Sequence, residues 1–244
     1  MKLGLFGGGF KPFTSGHFSK LALASNENDR VILFYGLAER KKGSDYFYTK
    51  EMAREVMNIM KIAIEREMKK VKVVEAKPTP LVMMFEVISQ VAGVQETGKF
   101  IQLKNLGIDP TEVSEIRIYG DEESQQNFKK YLGTDSEEKY FGSLYQDGQL
   151  HFDTGMTDNN EMTRIIDAMS LTYPGVSKDE LLTKSNVRGS EVRASIRSKD
   201  VSRIERFLPP ILNDGEKNAI IQILYKGLEE STIRSLIRKI IMGD

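Results

Sequence analysis

Five short runs rich in β-branched, aromatic or other apolar residues recur up to position 153, and helical spacing fills most of the intervals between them. The runs are residues 2–6 (KLGLF), 30–36 (RVILFYG), 71–74 (VKVV), 115–120 (EIRIYG) and 149–153 (QLHFD). Between them, residues 18–24, a long segment that Thr49 can cap, residues 81–92 and residues 122–132 all read as helices. The long segment carries Met52, Val56, Met60, Ala63 and Ile64 on one face. A strand that returns through a helix pairs in parallel with its predecessor by a right-handed crossover, so its sheet is covered on both faces. The pattern therefore predicts an α/β chain with a doubly wound parallel sheet of about five strands. Residues 133–158 are rich in Gly, Asp and Ser and are expected to add only the last strand, and the chain beyond about Asn159 reads as mostly helical. Pro209-Pro210 breaks that half, and Ile233, Leu236, Ile237, Ile240 and Ile241 fall on one face of a final helix. The expected division is a core at 1–202 and a small C-terminal helical appendage at 203–244.

Composition narrows the partners. The 244 residues hold 35 basic and 35 acidic side chains, so no global field exists to hold nucleic acid or an anionic membrane, and any anion site must be local. With no cysteine there is neither a disulfide framework nor a thiolate zinc site. Nothing resembles a signal segment or a membrane span, and cytoplasmic residence is the expectation. The methionines at 52, 57, 60, 83 and 84 fall on apolar helical faces and are expected in the core. His151 sits in an alternating strand pattern and reads as a surface or satisfied residue.

The first strand opens into Gly7-Gly8-Gly9-Phe10-Lys11-Pro12-Phe13-Thr14-Ser15-Gly16-His17, just before the first helix. An open α/β sheet places its ligand crevice at that junction. Glycines let the backbone approach phosphate oxygens, and a helix starting near Gly16 adds the positive end of its dipole. No Gly-Lys-Ser/Thr follows, and the spacing is not the dinucleotide fingerprint GxGxxG. A second phosphate-sized motif, Arg188-Gly189-Ser190-Glu191-Val192-Arg193, precedes another helical run. Gly189 and Ser190 offer donors at a helix start, and Arg193 lies one turn in.

The Thr14-Ser15-Gly16-His17 ending, after glycines, Phe and Pro, resembles the first signature of the HIGH superfamily of nucleotidyltransferases, which have a Rossmann-like sheet. Residues 188–193 resemble its second signature, Ser-x-Thr-x-x-Arg, with Arg188 where Ser is usual and Ser190 for Thr. The resemblance covers roughly residues 1–210 and is poor at 81–106 and 133–184, where substrate identity should reside. It implies that His17, Ser190 and Arg193 are catalytic. Gly7, Gly8, Gly9, Phe10, Gly16, Gly120, Asp121 and Gly189 would bind the nucleotide, while Thr14, Lys41 and Lys42 would face a phosphorylated acceptor.

Asp121 reads equally well as a plain N-cap, and Lys41 and Lys42, with Arg40, as a solvated loop. Arg54 resembles a recurrent arginine of the family, and Phe207-Leu208-Pro209-Pro210 its hydrophobic-Pro segment. The reaction implied is transfer of a nucleoside monophosphate, most readily AMP from ATP, onto a phosphorylated small molecule with release of pyrophosphate. The adenylyl branches acting on nicotinamide mononucleotide or phosphopantetheine are the nearer match. Mg²⁺ would be held mainly by the triphosphate, with no dedicated protein metal site. Cytidylyl transfer from CTP is the alternative within the class. A nucleotide-binding regulatory protein without turnover and an interaction protein working through its helical tail are alternatives outside it. Self-association through the last helix is a further expectation.

Overall fold

The computed structural model describes residues 1–37, 48–94, 98–120, 122–153, 159–185, 187 and 189–242. One sheet is built from β1 (Lys2–Gly8), β2 (Arg30–Tyr35), β3 (Val71–Glu75), β4 (Glu115–Tyr119) and β5 (Leu150–Asp153). Its order is β3-β2-β1-β4-β5, and every neighbouring pair is parallel. Leu3 faces Arg30 on one side of β1 and Ile116 on the other.

Period-two alternation sorts the strand side chains between two cores. Leu3, Leu5, Ile32, Phe34, Ile116 and Ile118 enter one cluster, beneath α3 (Pro80–Val91), α4 (Glu122–Lys129) and α5 (Asp135–Phe141). Phe6, Val31, Leu33, Val71, Val73 and Tyr119 enter the other. That second face carries α1 (Ser15–Glu27), α2 (Lys50–Glu67), α6 (Asn159–Thr172), α7 (Lys178–Ser185), α8 (Gly189–Arg197), α9 (Val201–Phe207) and α10 (Asp214–Met242). The result is a Rossmann-like, doubly wound fold. Strand order reverses at β1, because the chain moves outward through β2 and β3 and then returns to place β4 on the other side. The crevice of such a sheet opens between the C-terminal ends of β1 and β4.

The helices follow the chemistry of their sequences. Thr49 caps α2 by accepting the Met52 N–H at 3.1 Å, and Met52, Val56, Met57, Met60, Ala63 and Ile64 are buried, as their spacing predicts. Met83 and Met84 are buried on α3 as well. One helix, α5, lies in a stretch expected to hold only a strand. Two turns are too few to display a hydrophobic period, yet Phe141 at its end is fully buried.

Beyond position 202 the chain continues along α9 into α10, and Ile204, Ile220, Ile221 and Leu224 lie in the same cluster as Phe18 and Val56. Arg66 of α2 holds α10 with a two-pronged contact to Glu216, at 2.6 and 3.2 Å, and donates to the Ile211 carbonyl at 3.0 Å. The α10 backbone carries Ile233 to Ile241 within one helix, but the side chains of that apolar face lie outside the described residues. Among the described residues no helix is long and apolar enough to cross a membrane.

Candidate functional site

β1 ends at Gly8, and the turn that follows emerges beside the point where strand order reverses. Its glycines are close-approach positions. A Cβ on Gly7 would sit 2.6 Å from Met84 Sδ and 3.1 Å from Pro80 Cβ, so the first turns of α3 pack directly on the backbone. The Gly36 N–H donates to the Gly8 carbonyl at 2.9 Å and ties the end of β2 to the turn. Gly9 is exposed. Phe10 turns inward, 4% exposed, with its ring centroid 4.9 Å from those of both Phe13 and His17 in edge-on geometry.

His17, on the first turn of α1, is held from two sides. Phe10 and Phe13 flank its ring, and its Nδ1 lies 3.0 Å from the Thr14 backbone N and 2.9 Å from Thr14 Oγ1. A backbone N–H can only donate, so Nδ1 is an acceptor and the neutral ring carries its proton on Nε2. The imidazole is thereby set up as an Nε2–H donor. Thr14 is fully buried, and its hydroxyl lies between His17 Nδ1 and the Val187 carbonyl at 3.4 Å.

Val187 belongs to the segment leading into the second motif, and three further contacts close that joint. Ser15 Oγ donates to the Lys184 carbonyl at 2.9 Å, and Arg193 Nη1 donates to the Lys11 carbonyl at 3.1 Å. A Cβ on Gly16 would lie 2.6 Å from the Val187 carbonyl oxygen and 3.1 Å from that of Ser185. Gly16 is therefore required for backbone to touch backbone across the joint. Segments some 170 to 180 positions apart thus share one wall. Arg193 is 9% exposed and Ser190, one helical turn earlier, is exposed at the start of α8, which Gly189 opens.

Gly120 is buried at the end of β4, and Lys20 Nζ donates to its carbonyl at 3.1 Å, bridging α1 to β4 across the switch point. On the β2–β3 rim, Arg54 meets Glu75 at 3.4 Å, and Lys77 lies 3.5 Å from the same carboxylate. Burial, and then Glu75, push the Tyr35 phenol up, with Arg54 opposing. Asp121, Lys41, Lys42, Arg40 and Arg188 lie outside the described residues. His151 is half-exposed, with Nε2 3.8 Å from Glu115 Oε1, well away from this turn on β5.

Motif reading alone passed over Lys20, Lys184 and Val187. Lys20 had a signal, since it lies three positions after His17 and so shares a helix face with it. Val187 and Lys184 had none, because each contributes through its backbone carbonyl, which any residue carries. The chain matches no protein-family model and no curated protein. The fold class and the joint between the two donor-rich segments are what its own residues define.

Proposed function

We propose that the chain is a nucleotidyltransferase of the HIGH type, which moves AMP from ATP onto a phosphorylated small molecule and releases pyrophosphate. The observation that carries this reading is the joint itself: both phosphate-sized motifs are locked into one wall at the C-terminal edge of β1 and β4.

In this reading the triphosphate lies along the 7–17 turn and the start of α8. An oxygen of the acceptor's phosphate attacks the α-phosphorus in line, a new phosphoanhydride bond forms, and the bond from the α-phosphorus to the β-phosphate oxygen breaks. No covalent enzyme intermediate is needed, so the side chains position and stabilise. His17 Nε2–H donates to the phosphate on which charge builds, and the ring arrives with the correct tautomer already selected by Thr14. Ser190 and the α8 backbone supply donors to the outer phosphates, and Lys20 adds a cation within reach of the switch point.

Arg193, buried against Lys11, contributes by holding α8 to the turn and by placing positive charge behind it. Mg²⁺ would be carried in on the triphosphate rather than held in a protein cage. There it would offset the charge of the phosphate oxygens, leaving His17, Ser190 and Lys20 to position them.

One observation favours a second reading. The Thr14 hydroxyl is turned into the protein and engaged by His17 and Val187 where the first reading seeks an acceptor contact, which suits a nucleotide-binding regulator without turnover. Calorimetric titration with ATP and CTP, each with Mg²⁺, followed by pyrophosphate-release assays over phosphorylated acceptors, separates the readings. Tight ATP binding with pyrophosphate release supports adenylyl transfer, faster release from CTP moves the assignment to cytidylyl transfer, and binding without release for every acceptor supports the regulator. Absence of nucleotide binding defeats all three.

A further inference from the structure

A cavity of about 290 Å³ lies between α7, α8 and α9, and none of residues 7–20 lines it. Its volume is near the lower end for ligand pockets and is room for about ten heavy atoms at roughly 30 Å³ each. Two of its lining residues, Lys184 and Val187, are the ones whose carbonyls accept from Ser15 and Thr14. The cavity is therefore one hydrogen bond removed from the residue that fixes the His17 tautomer.

The lining is apolar with a positive excess. Val187 and Phe207 provide apolar wall, and the Arg203 guanidinium sits 5.5 Å above the Phe207 ring. Arg206 follows three positions later and shares the helix face of Arg203. The Lys184 ammonium is matched by Glu180 at 3.0 Å. That leaves two arginines and one further carboxylate, Glu191, in the wall around an apolar body, with Asp200 at the start of α9 in electrostatic range of both arginines. A cationic ligand would meet both arginines, whereas an anionic head on an apolar body complements them.

We propose that this cavity is a regulatory site for a small amphipathic anion, an acyl chain or ring of about ten heavy atoms bearing one carboxylate or phosphate. Its occupant moves the Lys184 and Val187 carbonyls, and the single Thr14 hydroxyl proton, shared between the Val187 carbonyl and His17 Nδ1, carries that movement to the imidazole. The link to turnover rests on the nucleotidyltransferase reading; binding and the His17 response do not.

The chain has two histidines, so imidazole ¹H–¹⁵N spectra can follow His17 against His151. The full chain is titrated, without nucleotide, with octanoate, octyl phosphate, octylammonium and acetate, using calorimetry for affinity and the His17 signals for response. Either eight-carbon anion should bind at least about tenfold tighter than octylammonium or acetate, and the tighter of the two identifies the head group. Arg203→Glu with Arg206→Glu, and separately Thr183→Trp, which fills the cavity from an exposed position, should each weaken binding at least about tenfold.

Thr14→Val should keep the affinity within about twofold and at least halve the His17 shift, because the hydroxyl link is cut while the Ser15 and Gly16 contacts remain. Equal binding of octylammonium, or affinity unchanged in both cavity variants, overturns the site. Anion binding with an unmoved His17 in the parent chain overturns the regulation. A chain that binds octanoate and shifts His17 but never binds ATP keeps this inference and defeats the nucleotidyltransferase reading.

Discussion

The turn at 7–17 and the segment at 184–193 carry the same type of chemistry, backbone and hydroxyl donors at a helix start, yet they are built in opposite ways. The turn is almost self-contained: β1 delivers it, Phe10 and Phe13 clamp His17, and Thr14 one turn back fixes the ring. The later segment is anchored through the core: Leu181, Val192 and Ile196 are fully buried in the second-face cluster. Its polar contacts then run to Thr14, Ser15, Gly16 and Lys11 of the turn. The turn is thus a template and the second segment is what docks on it. Local geometry can specify a histidine tautomer, but a two-sided anion wall needs a long-range joint.

The largest expected effect tests the template. His17→Ala should lower pyrophosphate release at least about a hundredfold, since a lost donor to developing charge costs about 3 kcal/mol of barrier. ATP binding measured by calorimetry should fall far less. Comparable losses in both would mean that His17 only helps to bind.

Gly16→Ala attacks the joint. The added methyl meets carbonyl oxygens on a backbone that has no flexible end to yield, so a loss of about 1–3 kcal/mol in urea unfolding is expected. An unchanged midpoint would show that the two segments are not in contact. Within the docking segment the structure separates two neighbours. Arg193→Met should cost about 1–3 kcal/mol by stranding the Lys11 carbonyl, while Ser190→Ala should stay within about 0.5 kcal/mol of the parent and act on turnover alone. Equal destabilisation by both would erase the distinction between a joint residue and a ligand residue.

Thr14→Val keeps the shape and removes the hydroxyl. A cost of about 1 kcal/mol is expected, together with a change in the His17 ¹⁵N signals. The backbone N–H still donates to Nδ1, so the Nε2–H form should persist at reduced population. Full retention of the signals would assign the tautomer to the backbone alone. The smallest effect lies at the far end of the second face. The Arg66 hydrogen bond holds the Glu216 carboxyl below its usual range. Because the folded value is depressed, this contribution is complete above the unfolded carboxylate value, about 4.3, and fades as pH falls through the folded one. The Arg66 side of the pair is solvated, so the effect should be small. Acid titration of parent and Glu216→Gln, followed by circular dichroism, should converge below that window and diverge modestly above it.

How far the sequence could be read depended on how local each cause was. The strands show because their apolar runs are short and bounded by glycine or charge, as in RVILFY of β2. The helix α2 shows because eighteen residues give the apolar period room to repeat and Thr49 marks its start. By contrast α5 has seven residues, and the burial of Phe141 depends on a sheet face that its own sequence does not describe. The same split runs through the site. His17 announces itself by its place after three glycines, whereas Val187 and Lys184 contribute carbonyls and leave no side-chain mark.

Neighbouring residues were enough to set the alternation of strand and helix, the glycine-rich turn at the end of the first strand, and a second donor-rich helix start. Each is a property of neighbouring residues, set by backbone freedom and apolar spacing. Packing of the whole chain put β1 at the centre of the sheet, turned Thr14 inward to fix His17, and brought the two donor-rich segments together at Gly16. Those outcomes depend on which distant surfaces bury one another, and that free energy belongs to the packed chain rather than to any window of it.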